Sequence, residues 1–463
     1  MFAFKMFTSL LLLLVPGGEF FALTPAALQS FFEGETAEMI GHVMMEQLYD
    51  LDQLVEERGS FTPGSILAGV TAGEFDPEET TLEQRARMGD MYAQNDLGLK
   101  YNLGDGVPQD YAEAVKWYTM AAEQGLAVAQ TNLAWMYESG SGVARDMALA
   151  AEWYTRAADQ GHSRAQNNLG VLYEHGNGVE QDLSNAVKLY RRAAEQGNLN
   201  AQTNLAYMYE HGRGVKQNDR RAVELYTKAA ELGHSRAQNN LGFLYEHGRG
   251  VRRSEKKAAD WYRKAAEQGN PYSQTNLAWM YESGSGVEKD ESKAVELYLL
   301  AAEQGHARAQ TNLAWMYQNG TGVAQNDVEA VRWYRSAAEQ GDLRGQCNLG
   351  WMYEKGRGVE QSDEEAVRWY RSAAEQGHST AQANLGWIYM NGKGVDKDIQ
   401  EALRWLAMAA DQGNSSAMYN IGWLCENGDG VDKDLKRAVK WYRRAVEMGD
   451  KMAMDALERL GEK

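Results

Sequence analysis

The chain has 463 residues, of which 44% are hydrophobic and 24% are charged, as in an ordinary soluble globular protein. Its 65 acidic residues outnumber the 47 basic ones and give a formal net charge of −18. This balance argues against a nucleic-acid-binding protein, which needs a basic face to neutralise phosphates, and against binding to an anionic membrane surface. We therefore expect a neutral or basic partner.

Residues 1–22 have the pattern of a secretory signal peptide. Lys5 supplies a positive charge, and Phe7 to Val15 form a run of nine residues, mostly apolar, that a Pro-Gly-Gly sequence closes. Nine residues are too few to span a bilayer but suit the apolar region of a signal peptide. We expect a secreted, periplasmic or endoplasmic-reticulum-lumenal protein without a membrane span after signal removal. An uncleaved apolar cap on the fold is the alternative.

Residues 23–75 form an acidic region in which Thr36 to Glu57 has apolar residues at helical spacing, and 60–73 is a linker rich in Gly, Ser and Thr. Asp76-Pro77 is typical of a helix start, because aspartate caps free N–H groups and proline fits the first helical position. We predict that residues 76–92 form a capping helix, ending near Met88, against the repetitive part of the chain.

A 36-residue pattern recurs without insertion or deletion from Ala93 onwards, and its ten full copies cover residues 93–452. A fixed period of this size is typical of a solenoid, in which each unit buries its apolar face against its neighbours. We call the copies repeats 1 to 10 and number the positions within each from 0 to 35.

Each repeat has the pattern of two helices, A and B. In repeat 2, Leu133, Ala134 and Tyr137 form the apolar stripe of helix A, which glycines at positions 11 and 13 end. Position 17 holds Asp, Asn or Ser in all ten repeats, and these residues cap helix N-termini. Glycine at position 32 ends helix B. The sequence predicts an all-α fold, an α/α superhelical solenoid of ten helix-turn-helix repeats with helical caps, the C-terminal one at 453–463.

Cys347 and Cys425 are the only cysteines and lie two repeats apart. Stacked helix layers about 9 Å thick would separate them by roughly 18–20 Å. Because a disulfide needs Cα atoms within about 7 Å, we predict two unpaired thiols.

The 13 tryptophans fall into two columns. Seven lie at position 24 of helix B, beside a tyrosine at position 25 in nine of the ten repeats, and we interpret them as core residues. These are Trp117, Trp153, Trp261, Trp333, Trp369, Trp405 and Trp441.

The other six tryptophans lie at position 6 of helix A, where Tyr207 and Phe243 take the same place in repeats 4 and 5. Position 6 is about 160–200° from the apolar positions 4 and 8. Glutamates at position 9 flank it, as do threonines at position 2, namely Thr131, Thr203, Thr275 and Thr311. The candidate partner-binding residues are Trp135, Tyr207, Phe243, Trp279, Trp315, Trp351, Trp387, Trp423, Glu138, Glu210, Glu282 and Glu354.

Aromatic rings beside carboxylates suit peptides that carry Lys or Arg, through cation–π contacts and ion pairs, and rings also stack on sugars. We expect these rings to line a binding groove. The alternative is that the rings pack between successive A helices.

Two further patterns indicate structure rather than chemistry. His175, His211 and His247 recur at position 10 of three consecutive repeats, about 9 Å apart, so they cannot converge on one metal ion. Ser254 and Lys257 match the Ser-x-x-Lys of β-lactamases, but Ser254 lies at the capping position 17. The sequence contains no phosphate-binding loop, zinc-protease motif or nucleophile elbow, so we expect no enzyme, metal or cofactor.

The pattern AQ-x-NLG-x-MY-x-x-G-x-GV…D…A-V-x-W-Y-x-x-AAEQG resembles the Sel-1-like repeat, a relative of the tetratricopeptide repeat, over about 93–460. The resemblance implies a right-handed α/α superhelix that acts as an adaptor for protein complexes. A cysteine-rich secreted branch of the family has a disulfide in nearly every repeat and is linked to β-lactam binding, but this sequence lacks those cysteines.

These observations predict a scaffold that binds a protein or peptide along the aromatic stripe. A carbohydrate or peptidoglycan binder that uses the same rings is the second hypothesis, and a β-lactam-binding enzyme is a distant third.

Overall fold

A computed structural model describes residues 81–462, which fold into 22 α-helices without a β-strand. The predicted signal peptide, acidic region and Asp76-Pro77 cap lie outside these described residues. The helices are α1 (Leu82–Arg87), α2 (Met91–Leu103), α3 (Tyr111–Glu123), α4 (Ala127–Ser139), α5 (Met147–Asp159), α6 (Ser163–His175), α7 (Leu183–Glu195), α8 (Leu199–His211), α9 (Asp219–Glu231), α10 (Ser235–His247), α11 (Glu255–Glu267), α12 (Pro271–Ser283), α13 (Glu291–Glu303), α14 (Ala307–Asn319), α15 (Asp327–Glu339), α16 (Leu343–Lys355), α17 (Asp363–Glu375), α18 (Ser379–Asn391), α19 (Ile399–Asp411), α20 (Ser415–Asn427), α21 (Leu435–Glu447) and α22 (Lys451–Arg459).

The predicted repeat is confirmed. The even-numbered helices α2 to α20 are the A helices and the odd-numbered helices α3 to α21 are the B helices, each of 13 residues. In every B helix the side chain at position 17 accepts a hydrogen bond from a backbone N–H of the first turn. Glycine at position 11 ends each A helix in the left-handed conformation, at φ between 63° and 78°.

The core runs between the two helix layers. Position 25 of helix B places a tyrosine there in nine repeats, and rings such as Tyr190 and Tyr262 are completely buried beneath helix A. Alanines at positions 28 and 29 let the next A helix approach closely. Buried glutamines bridge this contact: Gln166 donates to the carbonyl of Ala158 at 3.1 Å and accepts from Gln196 at 2.8 Å. The same two glutamine hydrogen bonds recur in most repeats, so the buried polar groups between the helices find partners in the neighbouring helices.

A short helix lies at each end of the described stack. The helix start predicted at Asp76-Pro77 lies outside the described residues, and α1 begins at Leu82, where Thr81 and Gln84 form a reciprocal capping box. Ala86 of α1 is buried and accepts from Gln94 at 3.0 Å, so α1 takes the place of a B helix. At the other end α22 packs against α21, capped by Asp450.

Glycine at position 13 marks the contact between a turn and the preceding repeat. A Cβ at Gly178 would lie 2.2 Å from the carbonyl oxygen of Met147 in the preceding repeat, and φ there is 69°. Gly106 occupies the same position in repeat 1 with φ 71°, but a Cβ there would meet nothing within 4 Å. The two glycines thus share a left-handed backbone, but only Gly178 lies against a preceding repeat.

We expect Gly178→Ala to lower the free energy of unfolding by about 2 kcal/mol more than Gly106→Ala, because both variants incur left-handed strain and only the first forces overpacking. Urea denaturation followed by circular dichroism measures the difference. Equal losses would mean that the turn does not hold consecutive repeats together.

Candidate partner-binding face

Each A helix turns one narrow face away from helix B. Position 35 of the preceding repeat and positions 3, 6 and 10 lie within an arc of about 60° on the helix. All side chains at these positions are half-buried or exposed, whereas positions 0, 1, 4 and 5 are buried in every repeat. We call this surface the inner face, because successive A helices contact each other directly, as α14 does α16 and α18 does α20. B helices make no contact of that extent within residues 81–462.

The position-6 aromatic residues lie along the centre of the inner face. Trp279 is 45% exposed, Trp315 43%, and Tyr207 and Phe243 are each 37% exposed. Trp135, Trp351, Trp387 and Trp423 are half-buried, so exposure is greatest in the middle of the stack. The position-24 tryptophans are different, since Trp153, Trp333 and Trp405 are buried and the other four are half-buried.

The position-9 glutamates lie at the edge of this face and accept hydrogen bonds from tyrosines of the core. The hydroxyl of the position-25 tyrosine donates to their Oε2 atom in seven repeats, at 2.7 to 3.1 Å. Among the four candidates, Glu138 accepts from Tyr154, Glu210 from Tyr226, Glu282 from Tyr298 and Glu354 from Tyr370. Glu210 is buried and also accepts from Arg249 at 2.8 Å. Burial raises the pKa of the tyrosines, which stay neutral donors.

The position-2 threonines do not border the exposed stripe, and that prediction is wrong. Thr131, Thr203, Thr275 and Thr311 are buried, because their side of helix A packs against the next A helix. The hydroxyl of Thr203 lies 3.0 Å from Nδ1 of His234, the residue that caps α10, and donates to the carbonyl of Leu199. Thr311 donates instead to the capping carboxylate of Asp342 at 2.8 Å.

Two columns of the inner face were missed by the sequence analysis. Position 3 holds asparagine in nine repeats, and position 35 holds Arg164, Arg236, Arg308 and Arg344. Arg236 donates to the side-chain carbonyl of Asn204 on the preceding A helix, α8, and Asn204 donates to Asn167 at 3.0 Å. A helical wheel of helix A would have identified both columns, because positions 3 and 35 fall on the same 60° arc as positions 6 and 10.

Two of the three position-10 histidines extend the rings at position 6. His211 stacks on Tyr207 and His247 on Phe243, with ring centroids 4.2 and 4.1 Å apart. Cations from position 12 cover other faces of the stripe: the guanidinium of Arg357 lies 5.3 Å from the ring of Trp351, and Nζ of Lys393 lies 4.9 Å from that of Trp387. Over residues 81–462 no three His, Cys, Asp or Glu side chains are placed to share a metal ion.

Comparison with known proteins decides the family. The model of the Sel1 repeat matches ten consecutive units, from 92–126 to 415–450, two residues earlier in phase than the repeats numbered here. The chain belongs to the Sel1 repeat family.

Two solved structures of Sel1 repeat proteins are similar to the chain. One is c5321, described as a protective antigen present in uropathogenic Escherichia coli strains, with 39% identity and a TM-score of 0.66 over 82% of this chain and 81% of that one. The other is a Sel1 repeat protein from Oxalobacter formigenes, with 33% identity and a TM-score of 0.49 over 71% of this chain and 93% of that one. A comparison with curated proteins finds no match.

The remaining sequence motifs are structural parts of the Sel1 repeats. Cys347 and Cys425 are buried and unpaired, as predicted, and burial raises the pKa of the Cys347 thiol to about 12. The hydroxyl of Ser254 accepts a hydrogen bond from the backbone N–H of Lys257 at 3.3 Å, as a helix cap does. Within residues 81–462, no helix combines the length and hydropathy that crossing a membrane requires.

Proposed function

We propose that this Sel1 repeat protein is a scaffold that binds a protein or peptide segment along the inner face. The exposed rings of Trp279, Trp315, Tyr207 and Phe243 carry the proposal, because large aromatic side chains in a contiguous row are the residues that dominate protein interfaces. Sel1 repeat solenoids commonly serve as protein-interaction scaffolds, which supports the proposed binding role of the inner face.

The rings can be tested separately from the fold. We expect the double variant Trp279→Ala/Trp315→Ala to lose at least about tenfold in affinity for peptides selected on the wild-type protein from a random display library, because each truncated ring costs more than about 1 kcal/mol. The control is Leu300→Ala/Met408→Ala, which removes two comparably exposed apolar side chains from B helices.

Thermal unfolding of both double variants is measured alongside binding. A Trp279/Trp315 variant that is less stable yet binds as tightly as the control would contradict the proposal and assign the rings to packing between A helices.

Carbohydrate binding is the second candidate, and the alternation of exposed rings with asparagine amides favours it, since rings stack on sugars and amides bind hydroxyls. Binding to glycan oligomers that is insensitive to salt and lost in the ring variant would establish it over the peptide. We also propose that the chain is exported, as residues 1–22 suggest, and the intact mass of the protein from its source shows whether they are removed.

A further inference from the structure

The charge of the chain is unevenly distributed. Residues 23–80 hold twelve Asp and Glu against one Arg, whereas residues 212–264, in the middle of the stack, hold thirteen Lys and Arg against six Asp and Glu. The net charge of −18 therefore does not describe repeats 4 and 5, in which basic residues outnumber acidic ones.

Three arginines on the inner face have no acidic partner. Arg236, Arg308 and Arg344 are exposed at position 35, and each donates to the side-chain carbonyl of an asparagine on the preceding A helix. None of the three forms an ion pair with an Asp or Glu among residues 81–462. Many arginines of the B helices, by contrast, pair with a carboxylate one turn away, as Arg221 does with Glu224 and Arg332 with Glu329.

The carboxylates nearest to the inner face do not cancel these charges, because they are already engaged. Glu210 is 6% exposed in its side chain and holds both Arg249 and the hydroxyl of Tyr226. Glu246 accepts from Tyr262 at 2.7 Å. A ligand on the inner face therefore meets guanidinium and aromatic groups first.

The arginines and rings alternate along the stack. Helix α10 presents Arg236 and Phe243, α14 presents Arg308 and Trp315, and between them α12 presents Tyr272 and Trp279. Arg308 and Arg344 are one repeat apart, about 8–10 Å from helix axis to helix axis. Three residues of an extended peptide span about the same distance.

We propose that the partner on the inner face is an acidic polypeptide segment, with carboxylates that pair with Arg236, Arg308 and Arg344 and apolar side chains that lie on the rings between them. This inference rests on the proposed function and names the charge of its ligand, which differs from the neutral or basic partner expected from net charge. Guanidinium groups bind carboxylates through two parallel hydrogen bonds, and Trp, Tyr and Arg are the residues most enriched at interface hot spots.

The test uses three fluorescein-labelled 12-residue peptides, (Glu-Phe-Ser)4, (Gln-Phe-Ser)4 and (Lys-Phe-Ser)4, whose charged residues recur every third position. Fluorescence anisotropy is measured with the full chain in low and moderate salt. We expect the Glu peptide to bind most tightly and the Lys peptide most weakly, and we expect salt to weaken only the Glu peptide, because exposed ion pairs are screened.

The decisive variant is Arg236→Gln/Arg308→Gln/Arg344→Gln, which should weaken the Glu peptide by about 10- to 100-fold, given the range for exposed ion pairs, and change the Gln peptide less than about twofold. The control Arg156→Gln/Arg221→Gln/Arg332→Gln removes the same net charge from B helices and should leave all three affinities within about threefold.

Equal binding of the Glu and Gln peptides, tighter binding of the Lys peptide, equal effects of the two triple variants, or no binding of the Glu peptide at millimolar concentration would each overturn the acidic partner. The proposed function fails separately, if Trp279→Ala/Trp315→Ala leaves the affinity of every bound peptide unchanged.

Discussion

Glu210→Ala should lower the free energy of unfolding by about 2 kcal/mol, because the buried Tyr226 hydroxyl loses its acceptor and Arg249 loses one of its two carboxylate partners and keeps Asp219. Glu210 is buried and accepts from Arg249 at 2.8 Å and from Tyr226 at 3.1 Å. Urea denaturation of the purified protein measures the loss.

The repeats supply the matched controls. Glu282 accepts from Tyr298 at 2.9 Å, but the next repeat has Thr321 where Arg249 stands, so Glu282→Ala should cost only about 1 kcal/mol. Glu282→Gln should be nearly neutral, within about 0.5 kcal/mol, because Gln318 occupies this position in repeat 7 and accepts from Tyr334 at 2.7 Å.

Comparable stability of Glu210→Ala and Glu282→Ala, combined with a loss of peptide binding in both, would contradict the structural role. It would instead favour a direct contact between these glutamates and a ligand.

The period and the capping residues made the fold predictable. An unbroken 36-residue repeat gives ten copies of the same helix-end signals. A glycine or capping residue that recurs at one position in all ten copies is not a chance match, and the period itself indicates stacked helix-turn-helix units. The helix start at Asp76-Pro77 stays a prediction, because it lies outside the described residues. The sequence analysis did not single out Thr81, whose capping box with Gln84 begins α1.

The candidate face was only partly predictable. A single-helix wheel correctly separates position 6 from positions 4 and 8, but it does not contain the neighbouring A helix, which buries Thr131 and its equivalents. The wheel also places position-9 glutamates beside the rings without showing that Tyr226 and Arg249 already bind Glu210. Contacts one repeat away, at a sequence separation of 30 to 39 residues, decide which side chains remain available.

Histidines occupy the N-cap position 33 of alternate repeats, and we expect them to make the stack sensitive to acid. Two of them, His234 and His378, accept a capping hydrogen bond. His234 accepts from the backbone N–H of Ala237 at Nδ1, at 3.3 Å, and its Nε2 lies 3.0 Å from Oδ1 of Asn200. This arrangement suits the neutral ring with its proton on Nε2, because Nδ1 then accepts from the backbone N–H of Ala237. Burial lowers the pKa of His162 and His234 to about 4, with Arg236 adding to the effect at His234, and burial also lowers the pKa of His306 and His378.

A histidine whose pKa is lower in the folded chain binds more protons when unfolded, so its contribution is complete above about pH 6.5 and is lost as the pH falls towards 4. We expect His162 and His234 to cost about 2 kcal/mol each between pH 7 and pH 5. Urea denaturation across this range measures the slope before most carboxylates titrate.

The variant His162→Asn/His234→Asn/His306→Asn/His378→Asn isolates the effect. Asparagine caps the equivalent helices in other repeats, where Asn198 accepts from Ala201 at 2.9 Å and Asn414 from Ala417 at 3.0 Å, so all four helices have a capping side chain once the titrating rings are removed. Stability of the variant should be nearly constant from pH 7 to pH 5. An unchanged slope would assign acid sensitivity to the carboxylates, and a variant unstable at pH 7 would mean that the histidine–threonine contacts, such as His234 with Thr203, hold the A helices together by more than capping.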